Sequence, residues 1–327
     1  MSDSAGWSLT ESDPGIFTGL LHDLGVKGIE VEELWGLDPD LIAQLEPVHA
    51  LVFLFKWIGK GSNDMDGTFV EPDGNHYFAH QVINNACASI ALLNATLNIK
   101  DPNVELGEEL TNLQAFSDGL DPQTRGEIIT NSQKIREVHN SFARSDPFHL
   151  EDNQPQSESE DAYHFITYLP INGQLFELDG LKQSPVSHGA IPDGSNWTDL
   201  AREVLERRIA SHPPGEVMFN LLALTSRLSS LRSRISHLSS KADGERTDEE
   251  SARLSEMRES VGDIESRLKD WEVENQLRRH NYVGLIHALL VEMAKQDQLK
   301  PAIEEAKVKM KKKVEERKAK GMDMEED

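Results

Sequence analysis

Asn172-Gly173 stands between two β-prone runs, His164-Phe-Ile-Thr-Tyr-Leu169 and Gln174-Leu-Phe-Glu-Leu-Asp179. An Asn-Gly pair tolerates the left-handed backbone of a tight hairpin turn, and between two such runs it is the strongest short-range hairpin signal. Taken as a two-residue turn, it pairs Ile171 with Gln174, so that partnered residue numbers sum to 345. His164 then faces Leu181, and Asp179 lies two residues from that partner on the same sheet face. Diagonal neighbours of this kind sit about 7–8 Å apart at the backbone and closer at their side chains. An imidazole within reach of a carboxylate is the base-and-orienter half of a nucleophilic triad. A slip of one residue would put the two on opposite faces. A half-buried strand histidine beside a surface aspartate is the alternative left open.

The candidate nucleophile is the chain's single cysteine, Cys87. The stretch from Ala86 to Asn98 reads as a helix with Ile90, Leu93 and Leu97 on one stripe. Ala88, Ala91 and Ala95 allow close packing elsewhere, so this helix is expected to be central and buried. Asn84 or Asn85 is the expected cap. Cys87 thus falls in an opening turn, where unpaired N–H groups and the helix dipole favour a thiolate. A lone cysteine is more often a buried structural residue than a nucleophile. Gln81 stands six residues earlier, and a side-chain amide there can join the nucleophile's own N–H in holding an oxyanion. The histidines show no metal-ligand spacing, and His80, beside Gln81, is the one placed to tune the site.

The chain has 327 residues, enough to bury a core without staples, and a formal charge of −24. That balance repels phosphate backbones and disfavours nucleic acid as the main partner, while suiting a basic protein. One thiol excludes an internal disulfide and a multi-thiolate zinc site. The amino terminus lacks a basic and an apolar region of signal-peptide type, and no apolar run approaches a membrane span. A reducing cytosol or nucleus is the expected setting. Leu51-Val-Phe-Leu-Phe55 reads as a strand buried on both faces, and Phe219 to Leu224 as the last strand. Residues 151–161, with five acids, a proline and no periodicity, read as a long functional loop or a tolerated insertion. Past residue 227 the pattern changes. Leu228, Leu231, Ile235 and Leu238, then Leu254, Met257, Val261, Ile264, Leu268 and Trp271, form two heptad seams separated near Gly244. A self-folded helical hairpin accounts for them, as does a dimeric coiled coil. A further helix carries Tyr282, Leu285, Leu289 and Met293. The basic run from Lys307 to Lys320, interrupted by Glu315 and Glu316, reads as a solvated or docking helix face rather than a localisation signal.

Gln81-Val-Ile-Asn-Asn-Ala-Cys87-Ala-Ser resembles the active-site signature of the ubiquitin C-terminal hydrolases, papain-like cysteine peptidases. His164-Phe and Glu177-Leu-Asp179-Gly resemble that family's His and Asp blocks. Glu11 to Phe17, Gly25 to Ile29 and Val138 to Arg144 are similar to further family segments. The resemblance implies an α+β papain-like fold, a central antiparallel sheet flanked by helices, over residues 1–227. It implies Cys87 as nucleophile, His164 as general base and acid, Asp179 as orienter of the histidine and Gln81 as oxyanion stabiliser. Residues 145–163 fall where the family has its crossover loop. No cofactor is implied.

The tail, from Asn275-Gln-Leu-Arg-Arg-His-Asn-Tyr282 through Leu299-Lys-Pro-Ala-Ile303, resembles the C-terminal extension of the family's proteasome-associated branch. This implies an all-α extension: a helical hairpin or coiled-coil linker over 228–274, then a docking segment over 275–327. The implied partners are ubiquitin and its conjugates, and the deubiquitinase-adaptor domain of the proteasome's ubiquitin receptor. Leu285, Leu289 and Met293 are the expected contact positions. Two other readings stay open, a catalytically dispensable adaptor acting through the tail, and a cysteine peptidase for another ubiquitin-like modifier.

Overall fold

The computed structural model describes residues 6–56, 67–71, 76–143, 163–211, 219–240 and 247–319. The expected loop at 145–163 lies outside the described residues except for Tyr163, as do residues 320–327. In chain order the elements are α1 (Pro14–Asp23), β1 (Glu30–Glu33), α2 (Pro39–Ala43), β2 (Val48–Lys56), β3 (Thr68–Phe69) and α3 (Cys87–Thr96). Next come α4 (Gly107–Phe116), α5 (Pro122–Asn131), α6 (Gln133–Ser141), β4 (Tyr163–Ile171), β5 (Gln174–Leu178), β6 (Val186–Ala190), α7 (Trp197–Ala210) and β7 (Phe219–Thr225). Four helices follow: α8 (Arg227–Ser239), α9 (Asp248–Arg279), α10 (Val283–Lys295) and α11 (Leu299–Ala319).

Three helices start on the same local logic. Asp13, Asp38 and Asp121 each cap a helix whose first residue is proline, the side chain accepting an N–H that would otherwise be orphaned. The strands form one antiparallel sheet in the order β1-β7-β2-β4-β5-β6-β3. Phe219–Thr225 is the last strand in sequence, yet it inserts between β1 and β2 instead of adding at an edge. Each face of the sheet carries its own core. Ala50 and Val52 of β2 join the core built with α1 and α3, whereas Leu51, Phe53 and Phe55 join the one built with Ala201, Val204 and Leu205 of α7. That division explains why β2 reads as a continuous apolar run. All ten residues of α3 are buried, as expected for the central helix. Neither Asn84 nor Asn85 caps it: a 3-10 turn over Asn84–Ala86 leads into α3, and the Asn85 amide donates to the Trp7 carbonyl instead.

The two heptad seams close on each other, Leu228 and Leu231 of α8 against Met257 and Ile264 of α9, which satisfies them within one chain. Thr247 and Glu250 start α9 with reciprocal backbone bonds of 3.1 Å, a capping box. α9 is more than a linker. Its second half leaves α8 and lies on α1, where Trp271 covers Gly15 and the Asn275 amide donates to the Gly15 carbonyl at 2.9 Å. A Cβ at Gly15 would meet the Trp271 ring at 2.7 Å, so glycine is needed for this approach. Arg267 pairs with Glu32, Arg278 with Glu11 and Arg279 with Asp23, and the Arg279 guanidinium lies 3.9 Å over the Phe142 ring. A boundary at 274/275 therefore falls inside a helix. The chain divides into two compact units, and the division after α9 comes at Arg279/His280. In the second unit no residue of α10 is buried; Leu285 and Leu289 are exposed and Met293 half-buried.

Candidate active site

Asn172 and Gly173 take φ values of 49° and 77°, the left-handed pair that a primed two-residue turn requires. Ile171 pairs with Gln174, Leu169 with Phe176 and Thr167 with Leu178, which is the register that the turn implies. Beyond the last rung the strands bring His164 and Asp179 into direct contact. Nε2 of His164 donates to Oδ1 of Asp179 at 2.6 Å, both side chains being buried. The same carboxylate oxygen accepts the Leu181 N–H at 2.9 Å, so the aspartate is held from two sides.

Gly180 draws the other segments in. Its carbonyl accepts the Gln81 N–H at 2.8 Å. A Cβ there would meet Gln81 N and the Ile90 side chain at 3.0 Å, which places the first turn of α3 against the Asp179–Gly180 corner. Gln81 turns its amide to the Asn84 carbonyl at 2.9 Å, in the 3-10 turn that ends at Cys87. Lower down, Thr167 of β4 donates to the Ala91 carbonyl of α3 at 2.9 Å, fixing the helix on the strand that carries His164. The four residues singled out from the sequence thus come from three segments joined by backbone bonds. His80 meets the Gln183 carbonyl at 3.0 Å and is tied to the loop that follows Asp179.

The electrostatics depart from expectation at Cys87. The backbone N–H groups of Ala88 and Cys87 favour the thiolate, as a helix start should, but burial outweighs them and pushes the Cys87 thiol up to about 11. Burial therefore favours the neutral thiol over the thiolate at this position. Among the described residues no cluster of three or more His, Cys, Asp or Glu side chains is arranged to hold a metal ion. No helix among them is long and apolar enough to cross a membrane.

One part of the site escaped the sequence. Glu177, in the block that resembles the family's Asp motif, is fully buried and lies two residues from Asp179. Arg208 of α7 reaches both its oxygens at 2.9 Å, and Lys182 donates to it at 2.8 Å. These cations hold the Glu177 carboxyl well below the usual carboxylate range, against the cost of burial. A charged residue inside the run Leu-Phe-Glu-Leu was the available signal. Nothing local pointed to an arginine some thirty residues on.

A central helix that begins at Cys87, packed on the sheet that carries a buried imidazole–carboxylate pair, is the arrangement of a cysteine peptidase of papain-like α+β architecture. Residues 7–210 match the family model described as ubiquitin carboxyl-terminal hydrolase, family 1, and residues 263–299 match one described as ubiquitin carboxyl-terminal hydrolases. The chain belongs to the ubiquitin carboxyl-terminal hydrolase family and is a thiol-dependent deubiquitinating hydrolase. It is 37% identical over 307 residues to the ubiquitin carboxyl-terminal hydrolase ubh-4 of Caenorhabditis elegans, covering 94% of this chain and 93% of that protein. Ubiquitin carboxyl-terminal hydrolase 2 of Schizosaccharomyces pombe is 42% identical over 280 residues, covering 85% of this chain and 88% of the relative. Among solved structures it is similar to Trichinella spiralis UCH37 bound to ubiquitin vinyl methyl ester, with TM-score 0.65 and 34% identity. That match covers 81% of this chain and 99% of the other.

Proposed function

We propose that Cys87, His164, Asp179 and Gln81 carry out ubiquitin hydrolysis in named roles, and that the helical tail brings the enzyme to the proteasome. Nδ1 of His164 takes the Cys87 proton while Nε2 stays bonded to Asp179. The resulting thiolate attacks the carbonyl of ubiquitin's C-terminal glycine. The Gln81 amide and the Cys87 N–H hold the oxyanion. Collapse breaks the C–N bond, and the amine leaves with the proton from His164. A water deprotonated by His164 then attacks the thioester and restores the thiol. The observation that carries this reading is the buried 2.6 Å His164–Asp179 bond at the corner against which α3 begins. Ubiquitin as the bound protein is supported by the Trichinella relative, whose structure is bound to ubiquitin vinyl methyl ester.

The docking half of the proposal rests on α10. Its exposed Leu285 and Leu289, with Met293 on the same stripe, present an apolar face of the kind that lies in a partner's groove. The partner we assign is the deubiquitinase-adaptor domain of the proteasome's ubiquitin receptor, which places the enzyme on proteasomes in cytoplasm and nucleus. The test is deletion from His280 onward, which spares α9 and its contacts with α1. Hydrolysis of a ubiquitin–fluorophore amide stays near the full-length value, and co-purification with proteasomes is lost. A truncated enzyme that still co-purifies with proteasomes refutes the docking assignment, and one that loses small-substrate turnover refutes the independence of the catalytic unit.

A further inference from the structure

Arg208 lies far from the peptidase residues in sequence, yet it touches their supports by two routes. Through Glu177 it is anchored to β5, two residues from Asp179. Its guanidinium also lies 5.4 Å over the Phe55 ring, and Phe55 meets the His164 ring nearly at right angles, 5.9 Å between centroids. The pair is almost wholly enclosed, with Arg208 1% and Glu177 0% exposed. Buried ion pairs of this kind are often no more stabilising than apolar side chains of the same volume. The fold alone therefore does not account for a charge pair here.

We propose that Arg208 and Glu177 are positioning residues for the His164–Asp179 pair, setting the proton affinity of the imidazole with opposed charges and bracing its ring through Phe55. The inference rests on His164 being the base. The charged and titratable groups facing this region come from every element around it: Tyr168 from β4, Asp179 and Glu177 from the β5 side, Lys182 from the following loop, His188 from β6, Arg208 from α7 and Cys87 from α3. Tyr168 and His188 both meet Glu177 at 3.1 Å. Burial opposes the charge on Arg208, but Tyr168, Glu177 and Asp179 outweigh it and hold the pKa above its ordinary value, so the guanidinium is a fixed positive charge felt at Asp179.

The two charges act on an imidazolium in opposite directions. Arg208→Met leaves Lys182 as the one permanent cation on the Glu177 carboxylate; the lost positive charge stabilises imidazolium and moves the acid limb of kcat/KM to higher pH. Glu177→Gln leaves the Arg208 and Lys182 charges without their carboxylate and moves the limb to lower pH. Each displacement should be about half a pH unit or more. The double variant Glu177→Gln/Arg208→Met carries no charge in the pair, and its limb returns toward wild type. The profiles are read on a ubiquitin–fluorophore amide with the full chain. The His164 imidazole is titrated by NMR in a Cys87→Ala background, which reports the coupling whether or not His164 serves as base; activity of His164→Ala tests that role separately. Opposed shifts of the two single variants support the proposal. Shifts of the same sign, or unshifted limbs with activity falling in step with thermal unfolding, overturn it. If a single variant does not fold, Arg208→Lys decides. It keeps the charge but not the flat stack on Phe55, so the limb stays in place and kcat drops with KM unchanged; an unchanged kcat overturns the bracing.

Discussion

Asp179→Asn removes one charge from the site and leaves its shape. Oδ1 of Asp179 accepts two bonds, from His164 Nε2–H and from the Leu181 N–H. The Leu181 amide can only donate, so it selects an oxygen for the terminal atom that faces it. That same atom faces His164. The asparagine therefore keeps its oxygen toward the imidazole and its NH2 away, and the histidine retains tautomer and orientation. What is lost is the ionic part of the bond. Hydrogen bonds to a charged group contribute about 1.5–3 kcal/mol and neutral ones about 0.5–1.5 kcal/mol, a difference of roughly 1–2 kcal/mol. At about 1.4 kcal/mol per decade this lowers kcat/KM by roughly 5- to 30-fold. Asp179→Ala strips both donors of their acceptor in a closed site, at about 1–3 kcal/mol each, and should fall about a hundredfold or more. The assay is steady-state hydrolysis of a ubiquitin–fluorophore amide near neutral pH, with circular dichroism to verify folding. A loss near 10⁴ for Asp179→Asn, the size expected when the amide presents NH2 to the ring and forces the wrong tautomer, would refute the reasoning. So would an asparagine variant slower than alanine.

Gln81→Ala should reduce kcat by about 10²–10³ with KM little changed, as for one oxyanion donor; a KM effect alone would make Gln81 a binding residue. Because burial pushes the Cys87 thiol up to about 11, its alkylation in the free enzyme should accelerate steadily with pH and show no plateau below about pH 9. A plateau near neutrality would mean a resident thiolate–imidazolium pair. Glu30, under α8, has its carboxyl raised to about 7 by burial, with the Leu228 N–H and the Arg232 and Arg267 charges opposing. Its folded pKa exceeds the unfolded value, so its stabilising contribution is complete below the unfolded pKa and is lost as pH rises through about 7. Glu30→Gln should then raise the melting temperature by a few degrees near pH 8 and change it little near pH 4, a shift of order 1–3 kcal/mol at the upper pH. Equal effects at both pH values would contradict the assignment.

The hairpin was legible because the turn chemistry and the period of two are local. Asn172-Gly173 sets the register, and the register alone brings His164 toward Asp179. The central helix was legible for a related reason, since alanines and apolar residues on every side leave it no solvent face. What escaped depends on contacts between distant segments. Heptad spacing identified the α8–α9 seams but counted Trp271 among them; Trp271 packs on Gly15 of α1 instead, because nothing in the spacing shows where α9 leaves α8 and the α1 contact also needs a glycine and an asparagine. The Asn84 and Asn85 caps failed because a 3-10 turn, not an extended residue, leads into α3. The helix N-terminus that favours a thiolate at Cys87 was visible in sequence, and the burial that opposes it was not. Arg208 could not be paired with Glu177 without the fold, since neither residue type nor spacing links them.

Cys87 is the one thiol proposed to perform the chemistry on ubiquitin's C terminus. Incubation of the full chain with a ubiquitin-derived vinyl methyl ester, followed by intact mass and peptide mapping, tests it most directly. The account predicts a single ubiquitin adduct on Cys87, formed at a rate that collapses in His164→Ala, and none in a Cys87→Ala protein that still binds ubiquitin and melts like wild type. An adduct at another residue, or ubiquitin–fluorophore hydrolysis by Cys87→Ala within tenfold of wild type, would contradict it.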